Sequence, residues 1–118
     1  MRLSTLTLST GDLLRARSFY STKLGFTVVE DREGESFVVD AGGIRLHVDR
    51  STVAKAPLQN AEPRLVFQTS DLRARCLELR DRGVSVEGPH PSPGVPGFYA
   101  QLADPDGHPI VLMERPSN

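Results

Sequence analysis

The chain contains an internal repeat whose two copies lie about half a chain apart. Residues 8–17 read LSTGDLLRAR and residues 67–75 read FQTSDLRAR, with one residue fewer in the second copy. Alternating apolar residues precede each copy, and an amphipathic stretch that ends at Gly25 or Gly83 follows it. Such a repeat predicts two similar supersecondary units, and we expect a ligand to bind between them.

Composition limits the functions that a protein built from two such units can have. The 118 residues are enough for one small domain with a buried core, and a net charge of −1 excludes a strong basic field for nucleic acid or anionic membranes. A single cysteine, Cys76, excludes an intrachain disulfide and fits a reducing compartment. Neither a signal peptide nor a membrane-length apolar run is recognisable. We therefore expect a cytoplasmic domain with no nucleic-acid or membrane partner.

The first copy predicts a βαβββ unit. Alternation over residues 3–8 predicts a strand, and Thr10 or Asp12 is suited to cap a helix over residues 13–23. Gly25 suits the left-handed C-terminal cap of that helix. Three further strands are predicted over residues 26–30, 37–39 and 44–48, with a hairpin at residues 40–43.

The second copy predicts the same order of elements. The predicted elements are strands over residues 65–67, 84–86, 98–103 and 110–113 and a helix over residues 72–82. We expect Leu72, Cys76 and Leu79 to face the core, which makes Cys76 core filler rather than a nucleophile.

Two segments contain no regular apolar pattern, and one compact turn is recognisable. Residues 88–97 are rich in Gly and Pro and predict a loop, which we expect to act as a lid. Residues 104–107 predict a tight turn, because Pro suits its second position and Gly its last. Residues 51–62 predict a linker between module one (1–50) and module two (63–118).

Several motifs together resemble those of a known superfamily. The second unit ends ADPDGHPIVLME at residues 103–114, and the first contains Asp12-Leu13, Phe19-Tyr20 and Leu24-Gly25-Phe26. This pattern resembles the vicinal oxygen chelate superfamily, which includes glyoxalase I, extradiol dioxygenases, and fosfomycin- and bleomycin-resistance proteins. The resemblance implies one glyoxalase/bleomycin-resistance-like domain over residues 1–118. Its fold class would be α+β, with two βαβββ modules whose curved mixed sheets form an open, barrel-like cleft.

The resemblance also implies four inward positions at which relatives hold a divalent metal, usually with His and Glu. They correspond to Thr5 and Arg64 on the opening strands, and to Arg45 and Val111 on the closing strands. Arginine is cationic and only donates hydrogen bonds, valine has no lone pair, and a lone threonine hydroxyl is a poor ligand. We therefore expect no metal and no other cofactor.

Nearby residues do not supply the missing ligands. His47 follows Arg45 by two positions, so strand alternation puts both on one face, but a single histidine does not form a chelate. Glu114 follows Val111 by three positions, so a regular strand turns it to the other face. Other roles for His47 are a general base or a hydrogen-bonded strand residue.

Without a metal, the inward positions form a mixed polar and apolar pocket suited to a small molecule. Arg45 and Arg64 suit a carboxylate, a phosphate or an electron-rich planar ligand, unless they pair with acidic groups or reach solvent. Tyr99 is either a ligand contact or packing. The predicted ligand-binding residues are Thr5, Arg45, His47, Arg64, Gln68, Tyr99, Gln101, Val111 and Met113.

The resemblance and the residues leave four functions open. The first is a metal-free, homodimeric binding protein that sequesters an antibiotic or an anionic or planar metabolite, with no catalytic residue. The second is a glyoxalase-type metal-dependent lyase or isomerase with displaced ligands. The third is an interaction unit with a vestigial cavity. The fourth is metal-free acid–base catalysis through His47 and Tyr99.

Overall fold

The computed structural model describes residues 1–50, 65–92 and 97–114. The chain divides into two compact units, Met1–Ala56 and Pro57–Asn118, and each unit has its own sheet. The division falls in the segment predicted as a linker. The linker, Arg64 and residues 93–96 of the predicted lid lie outside the described residues.

The first unit has the predicted βαβββ order. Its sheet has the strand order β1-β4-β3-β2, in which β1 runs parallel to β4 and the other neighbours are antiparallel. The elements are β1 (Thr5–Thr10), α1 (Leu13–Arg17) continued by a π-helical segment (Ser18–Lys23), β2 (Thr27–Arg32), β3 (Ser36–Asp40) and β4 (Arg45–Arg50).

The second unit repeats this topology. Its sheet has the strand order β5-β8-β7-β6, again with the first and last strands parallel and the other neighbours antiparallel. The elements are β5 (Leu65–Thr69), α2 (Leu72–Asp81), β6 (Glu87–Pro91), β7 (Phe98–Ala103) and β8 (Pro109–Glu114). The prediction of an α+β chain built from two βαβββ modules with mixed sheets is confirmed.

The repeated aspartate has the same task in both units. Asp12 Oδ1 accepts a hydrogen bond from the Arg15 amide at 3.1 Å, and Asp71 Oδ1 accepts one from the Ala74 amide at 3.1 Å. Each aspartate therefore satisfies an amide that the first helical turn leaves unpaired. Gly25 follows the first helix and has a φ of 81°, the left-handed conformation predicted for its cap.

Removing one of these caps should weaken its unit measurably. We expect Asp71→Ala to lower the free energy of unfolding by about 1 kcal/mol, because an amide at the start of α2 loses its acceptor. Asp71→Ser is the matched control, since a serine hydroxyl can accept the same hydrogen bond, and it should lose less. Urea unfolding of both variants measures the difference, and equal losses would contradict the capping role.

One face of each sheet is buried against its helix, and the other face is called here the helix-distal face. Val38 and Ser36 on the helix-distal face of β3 are buried as well. The prediction that Leu72, Cys76 and Leu79 face the core is confirmed. The main buried residues on the helix side are Leu8, Ala16, Phe19, Tyr20, Phe37, Val39, Leu46 and Val48 in the first unit, and Leu65, Leu72, Cys76, Leu79, Ala100, Leu102, Ile110 and Leu112 in the second.

The first helix differs from its prediction in its hydrogen bonding. The segment predicted as one helix over residues 13–23 changes to π-helical geometry at Ser18. The Leu24 amide donates to the Phe19 carbonyl at 2.9 Å, which is the wider spacing of five residues. Phe19 and Tyr20 are both buried in this wider turn, with their rings edge to face at 5.1 Å.

Two predictions in the second unit are wrong. Residues 84–86 do not form a strand, and residues 88–91, predicted as loop, belong to β6. His90 pairs with Tyr99 and Pro91 with Phe98, and the register shifts between Glu87 and His90. β6 is the edge strand of its sheet, where proline is tolerated because only one side of the strand is paired. The described residues 88–91 therefore form sheet and not a lid.

Candidate functional site

The helix-distal face of the first sheet carries three of the predicted site residues. Thr5 pairs with Arg45, and Thr7 pairs with His47, across the parallel strands β1 and β4. Arg45, His47 and Asp49 occupy alternate positions of β4, so their side chains leave the strand on one side. This places Thr5, Arg45 and His47 together on one surface.

His47 has a partner that the sequence reasoning missed. Its Nε2 lies 3.1 Å from Asp49 Oδ1, and the two side chains are 33% and 46% exposed. The signal was present, because the alternation that puts His47 beside Arg45 also puts Asp49 beside His47. The imidazole therefore lies within ion-pair distance of a carboxylate from its own strand.

The helix-distal face of the second sheet carries the other described site residues. Gln68 pairs with Met113, and Met113 pairs with Tyr99, so these three residues form a row across β5, β8 and β7. We call it the Tyr99 row. In the adjacent row, Val111 pairs with Val66 and with Gln101.

The Tyr99 row ends beside an imidazole on the edge strand. The rings of His90 and Tyr99 lie 5.7 Å apart between centroids and are tilted by 52°. His90 Nε2 lies 3.8 Å from Glu87 Oε1, a longer separation than that of the His47–Asp49 pair. Phe98 precedes Tyr99 and is 44% exposed, whereas Ala100 is buried on the helix side as predicted. Tyr99 therefore presents an aromatic ring among polar and thioether groups.

The residues at the metal-ligand positions implied by the resemblance do not fit a divalent cation. Thr5 offers one hydroxyl, Arg45 is a permanent cation, and Val111 has no donor atom. Glu114 pairs with Thr69 and lies one residue beyond Met113, on the opposite face from Val111. The donor set on these strands therefore cannot form the superfamily's chelate.

Another group of possible metal donors lies in the turn between β7 and β8. One ligand atom from each of Asp104, Asp106 and His108 lies within 4.8 Å of the others. Asp104 Oδ1 already accepts from the Asp106 and His108 amides at 3.0 and 2.8 Å. Its Oδ2 lies 2.6 Å from His108 Nδ1, which must carry the proton, because an ionised carboxylate only accepts. These contacts show that the buried Asp104 side chain stabilises the turn between β7 and β8.

The predicted tight turn at residues 104–107 is confirmed. The Gly107 amide donates to the Asp104 carbonyl at 2.9 Å, and Gly107 has a φ of 90°. The Asp104 amide donates to the His108 carbonyl at 3.1 Å. Asp104 thus closes the hairpin with both its main chain and its side chain.

Cys76 is fully buried on α2. Burial raises the pKa of its thiol, and the nearby positive charge of Arg80 opposes that rise. A buried thiol with a raised pKa has little thiolate at neutral pH, so it is a poor nucleophile.

A cavity of about 260 Å³ lies on the helix side of the first unit, away from the predicted ligand residues. Leu13, Leu14 and Phe37 form part of its wall, together with Arg17 and Asp31. Arg17 Nε lies 3.0 Å from Asp31 Oδ2. Arg17 Nε has no hydrogen-bond partner among the described residues, so its contact with Asp31 is electrostatic.

Among the described residues, no helix has the length and apolar character needed to cross a membrane.

Comparison with solved structures supports the resemblance. An antibiotic-binding protein, TnmS3 from Streptomyces sp. CB03234, is 28% identical with a TM-score of 0.75, over 98% of this chain and 97% of that one. A glyoxalase family protein from Enterococcus faecalis is 20% identical with a TM-score of 0.84, over 96% and 97% of the two chains. Lactoylglutathione lyase from Agrobacterium tumefaciens is 20% identical with a TM-score of 0.77, over 96% and 92%. The latter two show the fold alone.

Comparison of sequences gives the family. No curated protein matches the chain. The sequence model of the Glyoxalase/Bleomycin resistance protein/Dioxygenase superfamily matches residues 2–112. The chain therefore belongs to the Glyoxalase/Bleomycin resistance protein/Dioxygenase superfamily.

Proposed function

We propose that the protein binds a small, planar organic molecule without a metal ion, and that the Tyr99 row is the main contact surface. The row carries this proposal because it combines an aromatic ring, a thioether and an amide on one sheet face. Aromatic rings and thioethers contact flat apolar surfaces favourably, whereas amides fix polar groups at the ligand's edge.

The neighbouring row extends the same surface. Val111 adds an apolar contact, Gln101 adds a second amide, and Val66 is 54% exposed beside them. On the helix-distal face of the first sheet, Arg45 and His47 suit an anionic or electron-rich group, with Thr5 beside Arg45. We include Arg64 in the proposal because its residue type suits the same kind of group.

One relative and the residues at the superfamily's metal-ligand positions support binding rather than metal chemistry. TnmS3, at 28% identity, is described as an antibiotic-binding protein. The described superfamily ligand positions hold no donor set for a divalent cation. We therefore propose that the molecule is an antibiotic or a planar or anionic metabolite and that binding sequesters it. We also propose a cytoplasmic homodimer, which the single cysteine and the superfamily resemblance favour.

The test is a thermal-shift screen of planar natural products, antibiotics, carboxylates and phosphates on the full chain. A compound that raises Tm is then titrated into Tyr99→Ala and Phe98→Ala. Tyr99→Ala should raise Kd about tenfold, because it removes an aromatic contact worth about 1.4 kcal/mol. Phe98→Ala changes the neighbouring residue of the same strand on the other face and should leave Kd unchanged. A screen without any Tm increase, or equal effects of the two variants, would refute the proposal.

A metal-dependent lyase or isomerase is the competing function, and it has a separate test. Nickel, cobalt, zinc, manganese and iron are each added to the protein, and bound metal is measured after desalting. The donor set predicts less than stoichiometric binding of every metal. Stoichiometric retention of one of them would favour the enzyme instead.

A further inference from the structure

We propose that Arg45, His47 and Asp49 form a metal-free site that hydrolyses small carboxylic esters. This activity goes beyond ligand binding and does not depend on the Tyr99 row. The three side chains stand at alternate positions of β4, all on its helix-distal face. A cation, an imidazole and a carboxylate thus follow one another along one strand.

The contact between His47 and Asp49 favours one position for the proton on the imidazole. Asp49 Oδ1 lies 3.1 Å from His47 Nε2, and an ionised carboxylate can only accept. In the proposed site, neutral His47 carries its proton on Nε2, facing this carboxylate, and its lone pair on Nδ1. Nδ1 lies on the other side of the ring from this contact, and the side chain is 33% exposed. An imidazole with one nitrogen oriented and the other available has the arrangement of a general base.

The neighbouring groups suit the charges that ester hydrolysis develops. Thr7, the register partner of His47, and Thr5, the register partner of Arg45, bring hydroxyl groups to the same face. The guanidinium of Arg45 offers fixed donors and a positive charge to an oxyanion. The carboxyl group of Asp49 faces the imidazolium that forms, so Asp49 acts as a positioning residue.

Each step balances without a cofactor. Nδ1 of His47 takes a proton from water as the water oxygen bonds to the ester carbonyl carbon. The carbonyl electron pair moves to oxygen and forms a tetrahedral oxyanion that Arg45 stabilises. Collapse of this intermediate breaks the bond to the leaving oxygen, and the imidazolium returns its proton there. Ester and water become carboxylic acid and alcohol.

The test uses the full chain and p-nitrophenyl acetate as the probe. We expect His47→Gln to lower the protein-dependent hydrolysis about a hundredfold, the scale of general-base catalysis. His90→Gln is the matched control, since His90 is a partly exposed histidine whose carboxylate neighbour is 3.8 Å away. It should retain the wild-type rate, and so it separates the proposed site from hydrolysis by any surface imidazole. Equal rates for wild type and His47→Gln would overturn the proposal.

The role of Asp49 has its own measurement. Nitrogen-15 NMR should show His47 of the wild type as the Nε2–H tautomer, and Asp49→Asn should populate both tautomers. The same variant should lower kcat about tenfold with little change in KM, because it affects the base and not ester binding. Circular dichroism checks that each variant is folded. If His47→Gln unfolds, the wild-type tautomer and the rate of Asp49→Asn test whether His47 is the general base. An Nδ1–H tautomer in the wild type would overturn the proposal.

Discussion

Gly88→Ala is expected to lower the free energy of unfolding by about 3 kcal/mol. A Cβ at this position would lie 2.9 Å from the Tyr99 carbonyl oxygen and 3.1 Å from Ala100 Cα. Both atoms belong to the backbone of β7, so relief requires β6 and β7 to move apart. Gly88 also has a φ of +117°, a conformation that residues with a Cβ rarely adopt.

The control for this prediction is Gly34→Ala in the turn between β2 and β3. Gly34 has a φ of +79°, but a Cβ there meets no atom within 4 Å. We expect a loss of about 1 kcal/mol, from the backbone conformation alone. Urea unfolding followed by circular dichroism measures both variants. If they lose equal stability, the close approach of β6 to β7 contributes nothing.

The second large effect is expected for Asp104→Ala, which should lower the free energy of unfolding by about 3 kcal/mol. The substitution removes the acceptor of the Asp106 and His108 amides and of His108 Nδ1. Asp104 is only 5% exposed, so water replaces these contacts poorly. A donor left without a partner at a buried position costs more than the same loss at the surface.

Asp40→Ala is the matched control in the corresponding hairpin of the first unit. Asp40 Oδ1 accepts from the Gly42 and Gly43 amides at 3.1 and 3.0 Å, but these contacts are exposed. We expect a loss of about 1 kcal/mol, because water can satisfy both amides. Chemical unfolding of the two variants compares a buried with an exposed turn aspartate. A smaller loss for Asp104→Ala than for Asp40→Ala would contradict the role of burial.

Much of the fold was predictable because it depends on local chemistry. The capping aspartates and the glycines after the helices are signals that a short stretch of sequence contains. The side chains of Tyr99 and Gln101 alternate with those of Ala100 and Leu102, so strand periodicity separated the two faces of β7. These features need no information from distant residues.

The errors arose where distant pairing decided the local structure. Residues 88–91 form a strand because β7 offers hydrogen-bonding partners, although their Gly and Pro content favours a loop. The π-helical segment depends on a one-residue shift in hydrogen bonding, which leaves no apolar pattern of its own. Asp49 was missed for another reason. Asp49 follows His47 by the same two positions that separate His47 from Arg45, so strand alternation alone puts it on this face.

The parallel pairing of the first and last strands has a consequence for how each unit folds. β4 lies between β1 and β3, and β8 lies between β5 and β7, so the strand synthesised last occupies an interior position. Until it arrives, the strand that opens the unit has no hydrogen-bonding neighbour in its sheet. Closing such long-range pairs is slow, because chain entropy is lost before the contacts form. Each unit should therefore emerge from the ribosome with its opening strand unpaired, and the parallel pair should be the last part of its sheet to form.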